Sequence, residues 1–194
     1  MLTKIALLMT LVLLTSCGLQ SIPQGKNQVE ASMAEVQNQY KRRSDLIPNL
    51  VEVVKGYASH EKDTLEAVIS ARAKATQVTI DPSKVSAEKM AEFQAAQGSL
   101  SQALGRLMVV SEQYPDLKAN ENFKDLQEQL EGTENRITIA RRRYIESIQS
   151  FNNLITVPPT SFMNMLVYKH EKMPQWDVDE TERKEIQKAP PVKF

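Results

Sequence analysis

A chain of 194 residues with 24 basic and 24 acidic side chains carries no net charge, which removes the electrostatic case for nucleic acid or for a strongly anionic surface as a partner. A single cysteine excludes an internal disulfide, and few glycines and aromatics leave Ala, Gln, Glu, Lys and Leu to set a helical composition. Stability has to come from the packing of one moderately sized core.

The chain opens MLTKIALLMTLVLLTSCG. Lys4 precedes an apolar run over residues 5–14, and Thr15 and Ser16 form the small, polar approach to a cleavage site that a signal peptide requires. Leu14-Thr15-Ser16-Cys17 resembles a lipobox, in which the thiol is acylated and the chain is cut before the cysteine. The rival is an uncleaved transmembrane anchor, yet a bilayer core of ~30 Å needs roughly 20 apolar residues and the run has about half that. A plain core cysteine would need the cleavage site elsewhere. The expectation is a leader over residues 1–16 and acyl chains on Cys17 that attach the mature protein to an extracytoplasmic membrane face without spanning it. Gly18 stands where inner-membrane lipoproteins of enteric bacteria usually have aspartate, which points to the outer membrane in a cell that has one.

Residues 17–26 read as a lipid-bearing linker, because Pro23 and Gly25 should break any helix continuing from the anchored end. A helical bundle is expected over residues 27–157. Its first stripe runs Val29, Met33, Val36, Tyr40, Arg43, Ile47, Leu50, Val54 and Tyr57 at three-and-four spacing. Pro48 lies inside it and cannot donate to the Ser44 carbonyl, so a kink without a break is expected there. The second stripe is Leu65, Val68, Ile69, Arg72 and Ala75, ending near Ile80-Asp81-Pro82. Asp81 or Ser83 is expected to cap the third, which carries Met90, Phe93, Gln97, Leu100, Leu104, Leu107, Ser111 and Tyr114 until Pro115 stops it. Asn120 or Asn122 opens the last, with Phe123, Leu126, Leu130, Ile137, Tyr144, Ile148, Phe151 and Ile155 on one side before Pro158 and Pro159. About four amphipathic segments joined by short connections bury their stripes most simply as an all-α, antiparallel up-and-down bundle. A long coiled coil is the alternative, against which Pro48, Pro82 and Pro115 count. Residues 158–194 form a C-terminal extension, apolar at first and then charged, expected to be extended or partly disordered from residue 171.

Three stretches carry a family likeness: KRRSDLIPNLVEVVKGYASHE at 41–61, SEQYPDLKANENFKDLQEQLEGTENRI at 111–137 and ARRRYIESIQSFN at 140–152. Together they resemble the LemA family of bacterial envelope proteins, with proline, asparagine and arginine at places that helix periodicity alone would not fix. PPVKF at 190–194 is similar to the family's closing pattern. The resemblance implies an antiparallel helical bundle and an envelope setting but no reaction. Most members have a longer N-terminal membrane helix where this chain has a lipobox, which puts any role requiring a spanning segment in doubt.

Candidates for chemistry are few. A zinc site needs three or four convergent ligands, and His60 and His170 offer neither that nor a one-turn pair, so no metal is expected. No serine elbow, glycine-rich phosphate loop or second thiol is present, and acidic pairs such as Glu128 and Glu131 fit a solvated helix face. The anomaly is charge inside the stripes: Arg43 in the first helix, and Glu134 and Arg141 in the last, where Leu130, Glu134, Ile137, Arg141, Tyr144 and Ile148 alternate by four and three. Buried charges need partners, so a polar layer of Arg43, Glu134 and Arg141 is expected inside the bundle, with Arg43 the better partner for Glu134. Such a layer fixes helix register, packs apolar stems with solvated ends, or lines an internal site.

The function these features suggest is a non-enzymatic scaffold or adaptor, with no cofactor beyond the covalent lipid at Cys17. Its partners would be the membrane, through the acyl chains, and another envelope protein, with no nucleic acid. The alternative is a ligand-binding protein or enzyme using the polar layer.

Overall fold

The computed structural model describes residues 2–176, with side chains from Leu19 onward. It is an all-α helical bundle, and the described residues hold no strand. The elements are α1 (Leu2–Tyr57), α2 (Lys62–Gln77), α3 (Ala87–Ser111), α4 (Pro115–Ala119), α5 (Glu121–Thr156) and α6 (Thr160–Met163), followed by a π-helical turn, Asn164–Tyr168. The chain divides into two compact units. One takes the chain up to Val36 with Ile139–Gln175, and the other takes Gln37–Thr138 with Trp176. Residues 2–16 of the expected leader and Cys17 fall in α1, but their side chains lie outside the described residues, as do Met1 and residues 177–194 with the closing PPVKF.

In the unit of Gln37–Thr138, the end of α1, all of α2 and α3, and the start of α5 enclose an aliphatic core. Leu50, Val54, Val68, Leu100 and Leu107 are fully buried there, with Leu117 of α4 and Phe123 of α5 beside them. Two stripe positions do not follow. Tyr57 and Ile69 are 45% and 53% exposed, because Ile69 lies about 100° around the helix from fully buried Val68 and α2 buries only one narrow face. The cap of α3 is Ser86, whose hydroxyl accepts from the Lys89 amide at 3.2 Å, and not Asp81 or Ser83. Asp81 instead closes a local turn by accepting from the Ser83 hydroxyl and amide, bonds that hold its carboxyl below the ordinary range. Asn120 caps α5 by accepting from the Phe123 amide at 3.0 Å. Pro115 opens a short helix after α3 has ended at Ser111.

In the other unit, Ile22, Val29 and Met33 of α1 are fully buried, as are Ile148 and Phe151 of α5, while Tyr144 is 1% exposed. Burial pushes the Tyr144 phenol up to about 12. The linker expected at 17–26 is helix throughout. Gly25 does not break α1 but lets α5 come close, since a β-carbon built there would sit 2.7 Å from Leu154 Cδ1 and 3.4 Å from Phe151 Cδ2. Pro23 is carried within the helix, and so is Pro48 further on. Each proline removes the donor that would serve the carbonyl four residues earlier. The two orphaned carbonyls are met from outside the helix: Tyr168 Oη donates to Leu19 O at 2.7 Å, and Arg72 Nε of α2 donates to Ser44 O at 2.8 Å. The tail expected to be loose is fastened as far as the structure describes it. Asn152 donates to the Met173 carbonyl and accepts from its amide, at 3.0 and 2.9 Å, and Trp176 is 8% exposed.

Candidate functional site

Arg43 enters the unit of Gln37–Thr138 from α1 and is 1% exposed, the largest fully buried side chain among those described. Its guanidinium is surrounded by groups from α3 and α5. Nη1 donates to Glu134 Oε1 at 2.7 Å and to Ser101 Oγ at 2.9 Å. Nη2 donates to Gln97 Oε1 at 2.7 Å and to the Gln97 carbonyl at 3.3 Å. The Tyr40 ring, one turn back on α1, lies 5.0 Å from the guanidinium carbon, close enough for its π face to stabilise the cation. Nε finds no acceptor among the described residues.

Gln97 extends this network to α2. Its Nε2 donates to the Ala75 carbonyl at 3.2 Å, one of the last-turn carbonyls that an α-helix leaves unserved. A single cation therefore ties together groups on α1, α3 and α5, and through Gln97 the end of α2. Periodicity had put Gln97 in the α3 stripe without a role, and Ser101 and Arg72 went unrecognised as network residues. The available signal was pairwise: a cation in one stripe calls for an amide or hydroxyl in another, and a mid-helix proline calls for an outside donor.

The charged residues of α5 do not sit as their spacing suggested. Thr133, fully buried, and Ala140, 3% exposed, take the inward places, so the buried series runs Leu130, Thr133, Ile137, Ala140 and Tyr144. Steps of three then four satisfy a helical stripe as well as four then three, and the small residues won the interior because they bury without desolvating a charge. Glu134 is consequently at the edge, its side chain 48% exposed while its carboxylate reaches Arg43. Arg141 is partly exposed and belongs to the other unit. Of the three proposed layer residues, the structure joins Arg43 and Glu134.

Outward from Glu134 lies an open groove of about 530 Å³, lined on α3 by Leu104, Gly105 and Met108 and on α5 by Leu130 and Glu131. Arg43 contributes charge and hydrogen bonds here. A guanidinium stays protonated at any ordinary pH and has no acceptor capacity, so it cannot exchange protons with a substrate. Among the described residues no cluster of three His, Cys, Asp or Glu could hold a metal ion. His60 lies exposed in the turn between α1 and α2, and His170 stacks on Tyr168 with ring centroids 5.9 Å apart. Glu128 and Glu131 are exposed on α5.

Comparison with known proteins gives this architecture its relatives. Protein LemA of Metamycoplasma hominis is 23% identical over 164 residues, which are 81% of this chain and 71% of that protein. Magnetosome protein MamQ of Magnetospirillum gryphiswaldense is 34% identical over 83 residues, 40% of this chain but only 30% of MamQ. Magnetosome protein MamQ 2 of Paramagnetospirillum magneticum is 35% identical over 68 residues, spanning 25% of its length. These names denote no reaction. The LemA family profile matches residues 32–194, and on that match this chain belongs to the LemA family.

Proposed function

We propose that this LemA-family chain is a lipid-anchored, non-enzymatic scaffold or adaptor on an extracytoplasmic membrane face. The observation that carries the reading is that the buried charge is committed internally: Arg43 directs its Nη donors to Glu134, Ser101 and Gln97. Such a layer fixes the register of packed helices and keeps the guanidinium itself from serving a substrate. The anchor is the covalent lipid on Cys17, supported by the Leu-Thr-Ser-Cys sequence after a short apolar run, with Gly18 favouring the outer membrane where one exists. Partner proteins of the envelope would meet the exposed helix faces and the groove beside Glu134.

Metabolic labelling with a fatty-acid analogue should load the chain, and Cys17→Ala should abolish both loading and maturation. Equal labelling of the two would remove the lipid anchor. Cross-linking in intact cells should then recover a recurrent partner through groove residues such as Met108 and Gln127.

A second reading, a small-molecule site, is favoured by one observation. The groove volume lies within the range of known ligand pockets, and Glu134 presents a half-exposed carboxylate to it. Native mass spectrometry of the chain gently released from its own cells separates the two: a stoichiometric added mass beyond the lipid supports a ligand, and its absence supports the scaffold.

A further inference from the structure

The segment that follows α5 is built inside out. Phe162, Met165 and Leu166 stand at i, i+3 and i+4, the spacing of one helical face, and they are 56%, 65% and 70% exposed. Val167 adds 54%, and Val157 before the segment adds 53%. The buried residue of the segment is a polar one. Asn164, 9% exposed, donates to the His170 carbonyl at 2.9 Å, accepts from the His170 amide at 2.9 Å and lies 3.4 Å from the Ile155 carbonyl. A solvated amphipathic turn does the reverse, burying its apolar face and wetting its polar one.

The arrangement is fixed, so the apolar face is not a loose tail that could fold away. The π-helical turn closes with the Lys169 amide on the Asn164 carbonyl at 2.6 Å, and Lys169 ends it in the left-handed region at φ 53°. His170 packs between Tyr168 and Phe151, at 5.9 and 5.7 Å between ring centroids. Tyr168 then fixes the place of the whole segment, because its hydroxyl serves the Leu19 carbonyl that Pro23 leaves without a helical donor. Leu19 is two residues from Cys17, about 3 Å along the helix axis. Whatever holds Cys17 at a membrane therefore brings this segment to the membrane surface.

We propose that residues 160–168 form a membrane foot, which seats Phe162, Met165, Leu166 and Val167 among the lipid headgroups beside the anchored end of α1. The proposal rests on the anchoring reading above. The occupant is lipid for two reasons: the Tyr168 bond joins the segment to the anchored end, and exposed Lys169 and Lys172 follow the apolar residues directly, outnumbering exposed Glu171 between them, as cations do beside an apolar face at a bilayer interface. Acyl chains alone tether a protein but leave it free to swivel. A foot would give it one orientation.

The test uses the full-length lipidated chain, reconstituted into vesicles of phosphatidylethanolamine and phosphatidylglycerol. Cys17 is the only native cysteine, so acylation leaves a single thiol in Leu166→Cys and in Arg142→Cys, each labelled with an environment-sensitive fluorophore. Arg142 is an exposed residue of the same unit, about 21 Å back along α5 from its C-terminal end. The label at 166 should shift to the blue and be quenched severalfold more by shallow nitroxide lipids than the label at 142. A wet, unquenched label at 166 on chains that float with the vesicles overturns the foot and leaves the anchor standing. A blue-shifted label that lipid quenchers do not reach, with cross-links between copies, shows a second copy on this face and also overturns it. Labelling of the unsubstituted chain together with failure to float overturns the anchor, and the foot with it.

Discussion

The two units answer the same backbone defect with donors of different strength. Pro48 in one and Pro23 in the other each deprive a carbonyl of α1 of its helical donor, and each carbonyl receives a side chain from another element. For Ser44, 2% exposed, the donor is the charged Arg72, in a setting already crossed by the buried Arg43. For Leu19, at an exposed site, it is the neutral hydroxyl of Tyr168. The cost of an unserved carbonyl rises as water is excluded, so the drier site recruits the stronger donor. A proline inside a long helix is thus a docking instruction, and its strength follows from its burial.

The largest expected effect comes from the buried cation. Arg43→Met should lower stability by about 3 kcal/mol, since it strands the buried Gln97 amide in a dry layer, whereas Glu134→Gln should cost only about 1 kcal/mol because half-exposed Glu134 is replaceable by water. Denaturant unfolding of both single variants and the double variant measures this. Equal losses would mean that the carboxylate, not the amide and hydroxyl, anchors the guanidinium.

In the other unit the buried Tyr144 phenol has an alkaline signature. Burial raises the Tyr144 phenol to about 12, so the folded chain keeps a proton that the unfolded chain releases near 10. The stabilisation is complete below pH 10 and is lost as pH rises through the folded value, at about 1.4 kcal/mol per unit in between. Tyr144→Phe should flatten that limb. An unchanged alkaline profile would show that ionisation elsewhere dominates.

The proline comparison can be broken directly. Arg72→Met should cost about 1.5 kcal/mol in the native chain and clearly less beside Pro48→Ala, which restores a donor to Ser44. Tyr168→Phe should cost about 0.5 kcal/mol and accelerate hydrogen exchange in residues 160–173 before anything else. If Arg72 and Pro48 prove additive, the arginine is there for another reason.

Smallest are two glycines. Gly105→Ala in α3 meets nothing within 4 Å and should stabilise by about 0.4 kcal/mol, while Gly25→Ala must displace Leu154 and should gain nothing. Thermal unfolding of the two variants decides it.

Most of the helices were legible because an apolar stripe needs only composition and period, and the α3 stripe from Met90 to Ser111 is buried throughout. The misplacements have a common origin. The α5 register is degenerate: Thr133 and Ala140 satisfy the period as well as Glu134 and Arg141, and only the facing elements choose between them. The break expected at Pro23 and Gly25 failed likewise, because a proline's missing bond and a glycine's missing side chain are both answered by residues more than a hundred positions away, Tyr168 for one and Phe151 and Leu154 for the other. Neither answer leaves a local trace. The Arg43 and Glu134 pair was readable because both residues violate their stripes, whereas the membrane foot was not, since an exposed apolar run and a buried one look alike until packing assigns the faces.

Trp176 gives the molecule an optical consequence. It is the chain's single tryptophan, it is buried, and its ring meets Phe93 of α3 edge-on at 6.4 Å between centroids. Its ultraviolet emission therefore reports one event, the seating of the end of the described chain against the core built around Arg43. A red shift that precedes the loss of helical circular dichroism would time the tail's release separately from the melting of the bundle, with no label attached.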